Sequence, residues 1–195
     1  IFFGQKKDGV HPTDFMDVWT EERLFTAYPG MWGININFMQ EYQGDWHALA
    51  PSNAKEAARM LDKVFRAYDA AVMLYDALPT GNHNNDPGNF AFWQARVKFG
   101  IDDPSVRFVP FWDGEELGLV SKTKGVKTSA WVKDGKGEAL LIVTNWNGDD
   151  KPAAAKIEID MKKLGLPSDA IATDAEWQPP KPPRRVLTSG SYALR

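Results

Sequence analysis

The 195-residue sequence predicts a mixed α/β part followed by an all-β part built as an antiparallel β-sandwich. Three observations predict it. Between Val126 and Trp146 two apolar runs flank Asp134-Gly135-Lys136-Gly137, whose residues tolerate positive φ, so the flanks pair as a hairpin. From Lys156 to Met161 apolar and charged residues alternate strictly, as in a strand with one wet face. From Asn53 to Tyr75 apolar residues recur at spacings of three and four, the mark of an amphipathic helix. The switch from helical to two-residue periodicity near Val106 puts the boundary between Gly100 and Asp113, giving parts 1–104 and 105–195.

Each element follows from local chemistry. Ile1-Phe2-Phe3-Gly4 reads as the end of a buried strand, too apolar for a free terminus. The expectation is a chain that forms the C-terminal part of a longer polypeptide, or stays docked to a companion chain carrying the rest. Gln5 to Pro29 has no sustained period and reads as a long loop with one helical turn around Thr20 to Phe25; loops of that length are often functional. Met31 to Met39 suits a short strand, with Ile34, Ile36 and Phe38 alternating against Asn35 and Asn37. A polar and aromatic loop, Gln40 to His47, follows.

Asn53 and Glu56 then have capping-box spacing. Ala57, Leu61, Val64, Phe65, Tyr68, Ala71, Val72 and Tyr75 form the apolar stripe of the helix, which Pro79 and Gly81 end. Phe90 to Phe99 reads as a short helix closed by Gly100, and Val106 to Trp112 as a strand whose Pro110 marks an edge or an end. The run Ala139 to Val143 is apolar at every position, so both of its faces are expected to be covered. Lys163 to Pro167 is a turn, Pro179 to Pro183 a proline-rich crossing, and Val186 to Leu194 a closing strand.

Composition narrows the function classes. A net charge of −3 gives no electrostatic basis for binding nucleic acid or an anionic membrane, and no stretch reaches the ~18 apolar residues of a transmembrane segment. The absence of cysteine excludes disulfides, thiolate metal sites and cysteine nucleophiles. His11, His47 and His83 lie in three separate segments without metal-binding spacing, so neither a metal nor another cofactor is expected. No Gly-x-Ser-x-Gly elbow supports a serine hydrolase. The eight tryptophans have two readings: core filling, and flat surfaces for the faces of sugar rings.

Three features together resemble a known group: strand, long loop, strand and amphipathic helix; the connection Phe108-Val109-Pro110-Phe111-Trp112; and the run Ala139 to Asn147 followed by Ile157-Glu158-Ile159 and Leu164-Gly165-Leu166. The pattern is similar to the C-terminal end of large glycoside hydrolases in which a (β/α)8 barrel runs into an antiparallel β-sandwich, and it most resembles the β-N-acetylgalactosaminidase-like glycosidases. The resemblance implies that residues 1–104 are the terminal strands and helices of such a barrel and 105–195 its sandwich. It also implies a carbohydrate partner, complex or acetylated polysaccharide as substrate, and a place outside the cell, in the periplasm or at the cell surface. The adjacent Asp-Glu pair of the acetamido-sugar enzymes has no match in this chain, so the catalytic residues are expected partly or wholly upstream.

Barrel enzymes work from the loops after their strands. The usual glycosidase needs two carboxyl groups, and those loops offer Glu21, Glu22, Glu41 and Asp45 as candidates. For each, a solvated loop charge or a helix cap is the alternative. Asp45-Trp46-His47 puts a carboxylate, a flat ring and an imidazole in one loop where all three can reach a sugar, with Tyr28 and Trp32 beside them. Structural hydrogen bonding and an inward-folded Trp46 are the competing readings. The rival function class is a non-catalytic carbohydrate-binding or structural module at a cell surface.

Overall fold

The computed structural model describes residues 21–26, 28, 30, 37–40, 55, 69–81, 94–146, 153–175 and 192–194, and the fold is mixed α/β. Contacts divide the chain into two compact units, Ile1–Phe90 and Ala91–Arg195.

In the first unit, helix α1 (Glu21–Thr26) buries Leu24 and begins with two acidic residues, the sign its N-terminal dipole favours. Strand β1 (Asn37–Gln40) pairs in parallel with β2 (Leu78–Gly81), Asn37 opposite Leu78 and Gln40 opposite Gly81. Helical residues 69–73 lie on the connection, and Ala71, Val72, Met73, Leu74, Tyr75 and Ala77 are buried. A parallel pair needs such a crossover, because no tight turn can reverse the chain twice. The expected helix end needs correction. Asp76 takes a left-handed φ of 59° and its N–H reaches the Met73 carbonyl, so the helix closes before Pro79. Aspartate tolerates that conformation better than most residues. Pro79 then sits within β2 opposite Phe38 rather than ending a helix.

In the second unit, residues 94–99 are helical and Gly100, at φ 75°, closes the turn with its N–H on the Arg96 carbonyl. Strand β3 (Val106–Val109) pairs antiparallel with β5 (Val126–Lys133), which pairs antiparallel with β6 (Glu138–Asn145), giving the order β3-β5-β6. Pro110 ends β3, and a 3-10 turn (Phe111–Asp113) leads into α2 (Gly114–Leu117). Strand β4 (Leu119–Ser121), too short to carry a period of its own, pairs antiparallel with β8 (Ile157–Ile159). Strand β7 (Ala153–Ala155) pairs antiparallel with β9 (Tyr192–Leu194).

Register explains the core. Val109, Ala130 and Leu141 share one face of the three-stranded sheet, as do Val132 and Ala139. Those residues pack with Leu119, Leu164, Ile157 and Ile159 in one apolar cluster, so the β4–β8 ladder and the turn at 161–165 cover that face. Along β8 the side chains of Lys156, Glu158 and Asp160 are exposed while Ile157 and Ile159 turn inward. The opposite sheet face carries Trp131, Leu140 and Ile142, also buried.

Gly118 joins these pieces. Its φ is 89°, its N–H donates to the Gly114 carbonyl at 2.8 Å, and its carbonyl accepts from Asp160 at 2.8 Å. A β-carbon there would stand 2.9 Å from the β-carbons of both Asp160 and Lys163, whereas one at Gly135 (φ 76°) would meet nothing within 4 Å. Gly135→Ala is therefore expected to cost only the left-handed strain of about 1 kcal/mol. Gly118→Ala adds a collision and should cost about 2–3 kcal/mol. Urea midpoints of the two variants give the comparison, and equal losses would show that the neighbours of Gly118 yield freely.

Thr128 is buried on the core face, and its Oγ1 has no hydrogen-bond partner among the described residues. A buried hydroxyl left unpaired is destabilising. Thr128→Val keeps the shape, and a gain of about 1 kcal/mol is expected in chemical denaturation. A loss would mean that the hydroxyl is satisfied by water.

Candidate functional site

Of the residues singled out in the sequence, Glu21, Glu22 and Tyr28 fall in described segments; Trp32, Glu41, Asp45, Trp46 and His47 lie outside the described residues. Both carboxylates sit in the first turn of α1, exposed, and Tyr28 follows that helix half-buried. The Tyr28 N–H donates to the Phe25 carbonyl at 3.1 Å, and the two rings stand 6.5 Å apart at 31°.

The structure adds a residue that the sequence placed only on the apolar stripe. Tyr75 is buried just ahead of β2, and burial, reinforced by the Glu21 carboxylate, pushes its phenol well above the usual tyrosine range. Glu21 thus lies within electrostatic reach of a phenol that stays protonated at every physiological pH. The three-and-four spacing of the stripe marks Tyr75 as buried but does not show its neighbour across some fifty residues of chain.

A second chemistry-bearing cluster lies in the other unit. On the sheet face of Trp131, Phe108 stands 5.8 Å from Trp131 and 6.5 Å from Trp112, while Phe111 meets Trp112 edge-on at 5.0 Å. The Phe111 N–H donates to the Ser129 hydroxyl, which folds the 3-10 turn over the edge that β3 vacates at Pro110. The Lys127 ammonium then lies 4.4 Å from the Phe111 ring centre and 4.8 Å from that of Trp146. A cation between two ring faces is held by their quadrupoles. Trp131 is core, while Phe111, Trp112 and Trp146 remain half-buried. Strand parity was the usable signal, since Lys127, Ser129 and Trp131 alternate onto one face.

Elsewhere the polar groups stabilise loops. Asp103 Oδ1 accepts from the Ser105 N–H at 2.9 Å and the Ser105 hydroxyl at 2.8 Å, and Lys136 lies 3.5 Å from Oδ2. The Ser105 bonds, backbone first, hold this carboxyl below the usual aspartate range. A depressed folded pKa stabilises above the unfolded value, near ~3.9, and the effect fades as pH falls through the folded value. Asp103→Asn is therefore expected to lower Tm at neutral pH, with the gap from wild type closing as pH drops below about 4. A gap that stays constant in thermal scans across that window would contradict the assignment. Glu138 is likewise lowered, by the hydrogen bond and the charge of Lys133 at 2.9 Å.

Among the described residues no group of three or more His, Cys, Asp or Glu side chains is placed to hold a metal ion, and no helix is long and apolar enough to cross a membrane. Comparison with known protein families, with curated proteins and with solved structures finds no match for this chain.

Proposed function

We propose that this chain belongs to a glycoside-hydrolase-like protein acting on complex or acetylated polysaccharide, with Asp45, Trp46 and His47 contacting the sugar and Tyr28 and Trp32 beside them. The observation that carries the reading is the parallel pairing of β1 with β2 across a helical connection, followed in sequence by an antiparallel unit. A strand, crossover and parallel strand is the repeating unit of barrels and open α/β sheets. In both, ligands bind where loops leave the C-terminal ends of the strands, and residues 41–54 follow directly from the C-terminal end of β1. The second unit, with a three-stranded sheet packed against the β4–β8 ladder, supports a sandwich following the barrel strands.

Glu21 and Glu22, in the first turn of α1, are exposed carboxylates. A partner carboxyl at ~5–10 Å is what glycoside cleavage would require of them. A non-catalytic carbohydrate-binding role is the second reading, favoured by half-buried Phe111, Trp112 and Trp146 gathered at one end of the sheet. Screening the full-length polypeptide on aryl glycosides, beside a glycan array, separates the two. Turnover lost in Glu21→Gln or Glu22→Gln supports the enzyme, and array binding without turnover supports the module. Failure to act on or bind any glycan would end both. Trp46→Ala tests the sugar contact: unchanged affinity with a Tm lowered by several degrees would make that ring core.

A further inference from the structure

Among the described residues the β6 strand presents an open edge, and its hydrogen-bond phase can be read from two bonds. The Trp146 N–H donates to the Gly125 carbonyl and the Asp134 N–H to the Ser105 carbonyl. Antiparallel pairs alternate between bonded and non-bonded, so 127–144, 129–142 and 131–140 are the bonded pairs of β5 and β6. The backbone groups of Ala139, Leu141 and Val143 therefore point away from β5. Strand β6 is the last in its sheet, and among the described residues these three backbones have no partner.

Natural edges are blunted by shortness, proline, lysine or a bulge. The other edge, β3, follows that rule: it is four residues long and stops at Pro110. Strand β6 does not. It runs eight residues, Glu-Ala-Leu-Leu-Ile-Val-Thr-Asn, without proline, lysine or an interior charge, and its only charged residue, Glu138, is paired to Lys133 at its very start.

We propose that this edge binds the same edge of a second copy of the chain, antiparallel about a two-fold axis beside Leu141, making a continuous six-stranded sheet. The self-complementary pattern is what selects this occupant. With Leu141 opposite the second copy's Leu141, Ala139 meets Val143, Leu140 meets Ile142 and Glu138 meets Thr144, so apolar faces continue and no like charges oppose. Three residues from each copy supply the bonded groups, and the closed symmetry leaves only β3 edges outside.

Sedimentation of the full chain over a range of concentrations, with amide exchange read at Ala139, Leu141 and Val143, tests this. The expected result is a reversible doubling of mass, with those three amides slowing as the dimer forms. Leu141→Pro removes an outward N–H without touching the β5 ladder, and Val143→Lys places a charge at the edge. Each should weaken association by roughly tenfold or more at unchanged circular dichroism. A chain that stays monomeric at high micromolar concentration overturns the proposal. So do amides already protected in dilute monomer, which would mean that the chain covers its own edge, or a dimer whose affinity survives both variants. Should a variant fail to fold, the concentration dependence of exchange in the wild type decides alone.

Discussion

Leu119→Ala is expected to lower the stability of the antiparallel unit by about 3–5 kcal/mol, the upper part of the range for buried leucines. Leu119 is 1% exposed, belongs to the apolar cluster and pairs with Ile159 on β8. Truncation costs most where the surroundings cannot collapse into the void. The backbone here has no room to shift, since Gly114 lies so close to the Leu119 carbonyl that even a β-carbon could not be placed between them. Val120, half-buried next to it on the other side of β4, is the control. Its alanine variant should lose no more than about 1 kcal/mol. Urea unfolding with unchanged m-value would give both numbers. A Leu119→Ala loss below about 1 kcal/mol would show that the β4–β8 layer does not seal this face.

Trp131→Ala should be comparably severe, about 3–5 kcal/mol, because it empties the opposite face. The indole is 2% exposed, packs 5.8 Å from Phe108 and lies across from Leu140. Phe108 in turn stands 6.5 Å from Trp112, so the truncation also loosens the ring packing beside the 3-10 turn. Against a typical total of 5–15 kcal/mol, such a loss leaves a sizeable unfolded fraction at physiological temperature. Trp131→Phe should recover more than half of it. A Trp131→Ala variant that melts within two or three degrees of wild type would mean that this face is wet and the aromatic cluster superficial.

Much of this architecture could be read from pattern. The hairpin was legible because Asp134 to Gly137 supplies positive-φ residues between two apolar runs, and Gly135 and Gly137 do adopt φ of 76° and 68°. The uninterrupted run Ala139 to Val143 signalled two covered faces, and alternate residues of β6 are buried on one face and half-buried on the other. Strand β4 was not legible, because three residues carry no period and its pairing depends on Gly118 and Asp160, forty-odd positions apart. The helix end is not legible, because proline is a visible signal whereas a left-handed aspartate is not. At the candidate site, sequence named the carboxylates but could not bring Glu21 to Tyr75, since electrostatic neighbours across a fold leave no local trace. The aromatic cluster shows the same limit: parity puts Lys127 on the face of Trp131, but only the turn at Pro110 carries Phe111 over it.

The two kinds of strand contact in the second unit differ in how much chain each must close. Strands β5 and β6 meet across the turn at 134–137, whereas β4 must wait for β8, with Leu119 opposite Ile159, and β7 for β9, with Ala153 opposite Leu194. Closing a longer loop costs more chain entropy before any contact repays it. Hairpins form in ~1–10 μs, while pairings remote in sequence slow the overall reaction. The hairpin is thus expected to form first, and the layer that seals its core face after it. Changes inside β5 and β6 then act chiefly on the folding rate, and changes at Leu119 or Gly118 on the unfolding rate. On the ribosome, the hairpin would be complete before β8 emerges, with both its apolar faces still waiting for cover.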